Sequence, residues 1–528
     1  MRLPTVLAWI LLSAGGSLAD SYIRQPSVDV QLYEISLELT DQTDSIAGTA
    51  RVHVLVQQDN TAGMWLDFEC MTVDALRVGG ADRPFDARGG RLKFGFDRIY
   101  SRNEIATVEV RYHGEPQKGL RIGKNRYGRR VAFADNWPEN ARCWFPSVDH
   151  PSDKARVSFE ITAPERYEVV ANGRAEKVVS LLDGRKTTRW TEKNAIPTYC
   201  MVVGIAEFSI ARPTEAAGVP LAWYAYPQDA DIAGRRFSRT NLMLAFFSNL
   251  IGPYPYEKLA QVETTIQQGG MENSDAIFYA ESFFSEEPYS DELVAHEIAH
   301  QWFGNAVTAA DWDHLWLSEG FATYFEALFY ENLKGSETLK WTMDRYAKKV
   351  IGHETALSAP VVDPNQKDPA RKLNPISYEK GAWILHMLRG RLGDEAFFEG
   401  IRRYYSLYSG RTASSEDFEK VLESVSGTDL AGFFRQWLHQ PGWPEYRIEW
   451  GWNEPRKELE ITIRQTQAGG LFDMPLQVAF SMGGRMESRT LRVDKTAETF
   501  RIPLPGRPTV LAADPDGWVL KSLSIQAF

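Results

Sequence analysis

Two hydrophobic periods alternate along this 528-residue chain, and the order in which they come limits what it can fold into. Over residues 28–212 apolar side chains recur at every second position: Tyr33, Ile35, Leu37 and Leu39, then Val52, Val54 and Val56, then Val108, Val110 and Tyr112, then Val157, Phe159 and Ile161. Period two, broken by Gly, Asp and Asn, predicts half-buried antiparallel strands, hence an all-β N-terminal domain over 20–212. Over 213–440 the period lengthens to that of helices. Ser290 is positioned to cap a helix whose first turn holds Asp291 and Glu292, opposite the positive end of the helix dipole. That helix is expected to run through Trp302 and stop at Gly304 and Asn305. Others are expected over about 318–333, 375–393, 415–425 and 429–439. After Pro441 alternation returns in about seven short strands, which predicts a small C-terminal β-sandwich over 441–528. The expected fold is multidomain α+β, with a mainly helical unit between two β units.

The first 19 residues read as an export leader. Arg2 supplies a positive charge, 3–12 is an apolar run, and Ser17-Leu18-Ala19 has the small-x-small pattern of a cleavage site. The run is shorter than the ~20 apolar residues that span a bilayer comfortably. The mature chain is expected to begin near Asp20 and to be periplasmic or secreted, with no stable membrane insertion after cleavage. The 59 Lys and Arg against 70 Asp and Glu give a net charge of −11, which argues against nucleic acid or an anionic membrane as the main partner. Only Cys70, Cys143 and Cys200 are present. They are too few for a disulfide framework, at most one pair can form, and no CxxC spacing offers a thiolate metal site.

The residues that carry chemistry cluster in the helical stretch. In His296-Glu297-Ile298-Ala299-His300 the two histidines are four apart, so on a helix they share one face a turn apart and can bind one zinc. Glu297 between them can act as general base toward a metal-activated water. Glu319, at the start of the next helix, is the natural third ligand. A return loop and a second antiparallel helix would bring its carboxylate back to the imidazoles. Gly269-Gly270-Met271-Glu272-Asn273 is the second cluster. Its paired glycines allow close backbone approach and can hold an extended peptide on an edge strand, although the same residues also suit an ordinary β-turn.

Together with Tyr378-Glu379-Lys380-Gly381-Ala382, these clusters resemble the M1 family of zinc metallopeptidases, the gluzincin aminopeptidases. The resemblance implies a thermolysin-like catalytic domain over 213–440 with one Zn2+ on His296, His300 and Glu319. It implies that Glu297 is the general base, that Tyr378 stabilises the oxyanion, and that Glu272 binds the substrate's free α-amino group within the substrate-binding segment Gly269, Gly270, Met271, Glu272 and Asn273. The partners it implies are peptides with a free N-terminus.

Three features depart from the family pattern. Trp137, within Asp135-Asn136-Trp137-Pro138-Glu139-Asn140-Ala141-Arg142, stands where many members carry a second acid or amide for the amine. Asp135 or Glu139 is the candidate substitute, and Trp137 is a candidate wall for the first side-chain pocket. Ser318 stands where Asn is more frequent, and is expected to cap its helix as Asn would. The chain also ends after the small β unit, without the large helical domain of long members, which implies a more open cleft. Glu326 is a candidate carboxylate partner for a zinc-bound histidine. Epoxide hydration, known in one branch of the family, and a non-enzymatic peptide-binding module are the two alternative functions.

Overall fold

The computed structural model describes residues 20–527 except 214, 268 and 286–289. The leader therefore lies outside the described residues. Strands fill the chain from Val28 to Ala211. The largest sheet has eight of them. At its centre Val28–Glu38 pairs antiparallel with Ile46–Val56 and parallel with Lys154–Pro164, Leu37 opposite Ile161. The sheet is thus mixed, where alternation alone had suggested purely antiparallel pairing: period two fixes which face is buried and carries no information on strand direction. Tyr33, Ile35, Leu37, Val52, Val54, Val157 and Phe159 all face inward and are buried, each contributing on the order of 1.5–3 kcal/mol of transfer free energy. A second, four-stranded sheet contains Arg130–Asp135. That strand leads directly into the Trp137 loop.

Nine α-helices are seen among the described residues: α1 (Ala230–Arg236), α2 (Thr240–Leu250), α3 (Glu292–Ala299), α4 (Trp316–Lys334), α5 (Ser336–Gly352), α6 (Gly381–Leu392), α7 (Asp394–Tyr408), α8 (Ser415–Ser426) and α9 (Ala431–Leu438). Three features of this stretch depart from the sequence expectation. Helix α3 ends at Ala299, because residues 301 and 302 bond back only three residues, Gln301 N to Ile298 O and Trp302 N to Ala299 O, and so tighten the last turn. Helices α1, α2, α5 and α7 were not anticipated. A five-stranded sheet was also missed; its strands Leu259–Thr264 and Ala276–Ala280 are buried at every position. A strand covered on both faces has no alternation to read.

Helix α4 is the axis of this unit. Its residues from Trp316 to Tyr330 are all buried, as expected of a helix apolar nearly all round. It packs against α3, α5 and α6. Beyond Pro441 seven strands form a four-stranded and a three-stranded sheet around Ile448, Ile461, Leu476, Val478 and Phe480. The sandwich meets α6 through Trp518, stacked on His386 with ring centroids 4.6 Å apart. Among the described residues no helix is long and apolar enough to cross a membrane.

Candidate metal centre and substrate cleft

Helix α3 begins where Ser290 Oγ accepts from Glu292 N–H (3.2 Å), while Asp291 is fixed by Tyr330 and Arg239. One turn separates His296 from His300, and their Nε2 atoms converge to 3.0 Å. Glu319, in the first turn of α4, brings Oε2 to 3.4 Å from one and 3.3 Å from the other. The edge of a tetrahedron with metal–ligand bonds of ~2.0–2.1 Å is about 3.3 Å. Three donor atoms at that mutual spacing form one face of a tetrahedral site, and Glu319 Oε2 is buried with no hydrogen-bond donor of its own. The residues present therefore fit a zinc ion.

The surroundings orient and polarise these donors. His300 Nδ1 lies 3.1 Å from the Phe303 carbonyl, which can only accept, so this nitrogen carries the proton and Nε2 is left as the ligand. Ser318 Oγ is 3.0 Å from the same Nδ1. Ser318 therefore does not cap α4, as the sequence suggested. It is the third residue of the helix, whose N-cap is Leu315, and its hydroxyl supports the ligand. Glu326 Oε2 stands 3.6 Å from His296 Nδ1, and the other oxygen, Oε1, accepts from the Tyr346 hydroxyl. Burial opposes charge on both rings, but Glu319 and Glu326 raise His296, and Glu319 and Glu272 raise His300. Burial likewise opposes the Glu319 carboxylate, yet the two rings hold it down at about 2. The field at this point favours positive charge among the three donors.

Glu297 is buried against Gly270. A Cβ built on that glycine would lie 2.4 Å from Glu297 Oε1, so a side chain there must displace the carboxylate or the strand. Burial pushes the Glu297 carboxyl up to about 8, against the pull of the two histidines. Gly270–Met271 is a short edge strand of the five-stranded sheet, paired antiparallel with Ala276–Ala280, as an extended-peptide track requires. Gly269 has φ of +50° and turns the chain into it. Carboxylate oxygens of Glu272 and Glu297 and a ring nitrogen of His300 lie within 4.8 Å of one another. Tyr378 sits in a π-helical turn, Ile376–Lys380, with its ring parallel to His296 at 5.9 Å. Burial, then the Glu319, Glu272 and Glu297 carboxylates, keep its phenol well above the usual range.

A cleft of about 590 Å3 opens over these groups. Gly269, Gly270, Met271, Glu272, His296, Glu297, Glu319 and Tyr378 line it. Asn273 does not, against expectation. It is 1% exposed, and its carbonyl accepts from Ala276 N–H to start the next strand. Trp137 also lines the cleft, edge-on to Trp312 at 5.6 Å. Asp135 reaches the cleft but is paired with Arg121 at 2.8 Å. Glu139 is turned away from it, accepting from Trp312 Nε1 and held by Arg142.

The sequence reading overlooked Gln301 and Asn305. Their side-chain amides donate to the Glu272 carbonyl at 2.9 and 2.5 Å, binding the Gly-Gly-Met-Glu segment to the turn that follows the histidine helix. Two amides within five residues of His300 were the available signal. Arg345 and Lys349 of α5 line the cleft as well and were missed with their helix.

Residues 236–437 match the peptidase family M1 domain and residues 30–200 the peptidase M1 N-terminal domain. A glutamyl aminopeptidase of Bitis rhinoceros is 31% identical over 348 residues, 62% of this chain and 36% of that protein. A leucyl aminopeptidase of Saccharolobus solfataricus is 26% identical over 443 residues, 80% of this chain and 54% of that one. The match with the snake enzyme spans about a third of that protein's length. The crystal structure of a point mutant of an M1 zinc metallopeptidase from Deinococcus radiodurans superposes with a TM-score of 0.69 at 23% identity, covering 78% of this chain and 95% of that one, which shows a shared fold.

Proposed function

The chain belongs to peptidase family M1, and from that premise we propose that it is a zinc aminopeptidase, removing single residues from the free N-terminus of peptides. His296, His300 and Glu319 would hold the Zn2+, which when bound acts as a Lewis acid toward water and the scissile carbonyl. Glu297 accepts a proton from the attacking water and returns it to the leaving nitrogen, and the second water proton follows as the new acid ionises, so that one amide and one water become a carboxylate and an ammonium. The Tyr378 hydroxyl donates to the oxyanion that develops on the carbonyl oxygen. Glu272 accepts from the substrate's ammonium through a charge-assisted hydrogen bond. The peptide backbone runs along the Gly270–Met271 edge, and Trp137 walls the region next to the ammonium.

One observation carries this reading. The Glu272 carboxylate, buried and with no Lys or Arg ion partner among the described residues, lies in the same cluster as Glu297 and His300. A peptide ammonium there leaves its first carbonyl beside the base. An internal peptide segment offers no charge to satisfy Glu272. The test compares free and N-acetylated aminoacyl-coumarins on purified protein, with a chelator control. Cleavage of the free amines alone, abolished by chelation, is expected. Equal rates on blocked and free substrates would replace this reading with an endopeptidase.

Residues 1–19 are read as a leader that exports the enzyme, supported by the charge, apolar run and cleavage pattern of the sequence. Intact mass of the secreted or periplasmic protein should correspond to a chain beginning at Asp20.

A further inference from the structure

Cys70 and Cys143 are 73 residues apart in sequence, and the backbones around them are stitched together. Glu69 N–H donates to Arg142 O at 3.0 Å, and Asp67 and Ser147 exchange two backbone hydrogen bonds of 2.7 and 3.1 Å. This pairing brings the two Sγ atoms to 3.1 Å, closer than the ~3.5–4.0 Å of an ordinary non-bonded contact. Cys70 is exposed and Cys143 buried. Cys200 is buried elsewhere, with its sulfur 3.3 Å from Asn305 Oδ1.

We propose that Cys70 and Cys143 form a disulfide in the exported protein, by exchange with a thiol–disulfide oxidoreductase in its oxidised state. The exposed Cys70 thiolate attacks one sulfur of the oxidoreductase disulfide and expels the other as a thiolate. Cys143 then attacks Cys70 Sγ, breaking the mixed disulfide and releasing the second oxidoreductase thiolate. Glu69 Oε1, 3.4 Å from Cys143 Sγ, takes the thiol proton as that attack begins. Glu69 gives that proton up to the departing thiolate, the Cys70 proton reaches the other through solvent, and the oxidoreductase leaves as a dithiol, so two electrons pass from this chain to it.

The bond has a structural purpose. Cys143 ends the one-turn helix Ala141–Cys143, which follows the loop that carries Trp137 into the cleft and Glu139 onto Trp312. Cys70 lies just beyond the strand Thr61–Asp67. A disulfide fastens the cleft-wall loop to the segment after strand Thr61–Asp67 within the N-terminal β unit, and an oxidising compartment would keep it fastened.

The proposal rests on the export reading, and the test separates the two. The full chain is produced with its own leader, recovered from the exported fraction and alkylated in denaturant with chelator, before and after reduction. One modified thiol before reduction and three after, with a linked peptide pair containing Cys70 and Cys143, is the expected result. Three modified thiols without reduction, or a link through Cys200, would overturn it. If the leader is retained and the protein stays inside the cell, the export reading fails. The purified reduced protein is then incubated with oxidised oxidoreductase: the Cys70–Cys143 link forming upholds the chemistry, and no link refutes it. Reduction should also lower the Tm of the wild type and leave that of Cys70→Ser unchanged. Equal behaviour of the two proteins would refute the tether.

Discussion

Gly270 has no side chain because Glu297 occupies the volume where one would be. Any Cβ there meets the carboxylate at 2.4 Å and its Cγ at 2.6 Å, so Gly270→Ala must displace either the edge strand or Glu297, the proposed general base. The three atoms nearest that Cβ all belong to Glu297, and none to His296, His300 or Glu319. The expected outcome is a loss of kcat of about 10²-fold or more, the scale on which small displacements of reacting groups act, with zinc content unchanged. Elemental analysis beside steady-state kinetics checks it. The paired glycines were visible in the sequence, but the group packed against Gly270 was not. What crowds Gly270 is a side chain of α3, and one residue gives no sign of another 27 positions away. Ser318 teaches the same point. A serine near a helix start reads locally as a cap, whereas its partner is the imidazole of His300.

At the scale of elements, the site depends on how closely two helices cross. A Cβ on Gly320 of α4 would lie 2.8 Å from the Gly381 backbone and 3.2 Å from the Ser377 carbonyl. The contact lies one residue after Glu319 and directly after the turn that holds Tyr378, so it sets the distance between metal ligand and phenol. Backbone cannot yield as a side-chain tip can. Gly320→Ala should therefore cost about 1–3 kcal/mol in stability, read as a lower urea midpoint with the slope unchanged, together with a reduced kcat. Legibility varied by element. Helix α4 and the histidine helix announced themselves through motif and pattern. The strands Leu259–Thr264 and Ala276–Ala280 did not, because burial on both faces erases the alternation that marks a strand. The parallel pairing of Val28–Glu38 with Lys154–Pro164 is a long-range choice that neither segment encodes alone.

Across the whole molecule, Lys154 joins the largest N-terminal sheet to the helical unit. It is the first residue of its strand, and its ammonium donates to the carbonyls of Asn305 and Ala306, both at 2.8 Å, and of Arg411 at 3.4 Å. No carboxylate shares the site among these partners, and burial pushes its pKa down to about 7 from 10.5. Between those values the unfolded chain binds a proton that the folded chain does not. Stability from this group therefore rises with pH from about 7 to 10.5, and the burden of the buried charge is felt in full below 7. Urea unfolding of the wild type and of Lys154→Met at several pH values isolates the effect, since other groups cancel in the difference. The wild type should gain on the variant between pH 7 and pH 10. A difference that stays flat would mean the ammonium keeps its charge at the junction.

The amides of Gln301 and Asn305 bind the Glu272 carbonyl to the turn that carries His300. On the proposed role of Glu272, the grip for the ammonium and the imidazoles are thus tied together, and their separation would act as a calliper pre-set to a single α-amino acid. A peptide opening with a β-amino acid, one methylene longer between its nitrogen and its carbonyl, would overshoot the jaws. It should sit in the cleft as a competitive inhibitor and leave uncut.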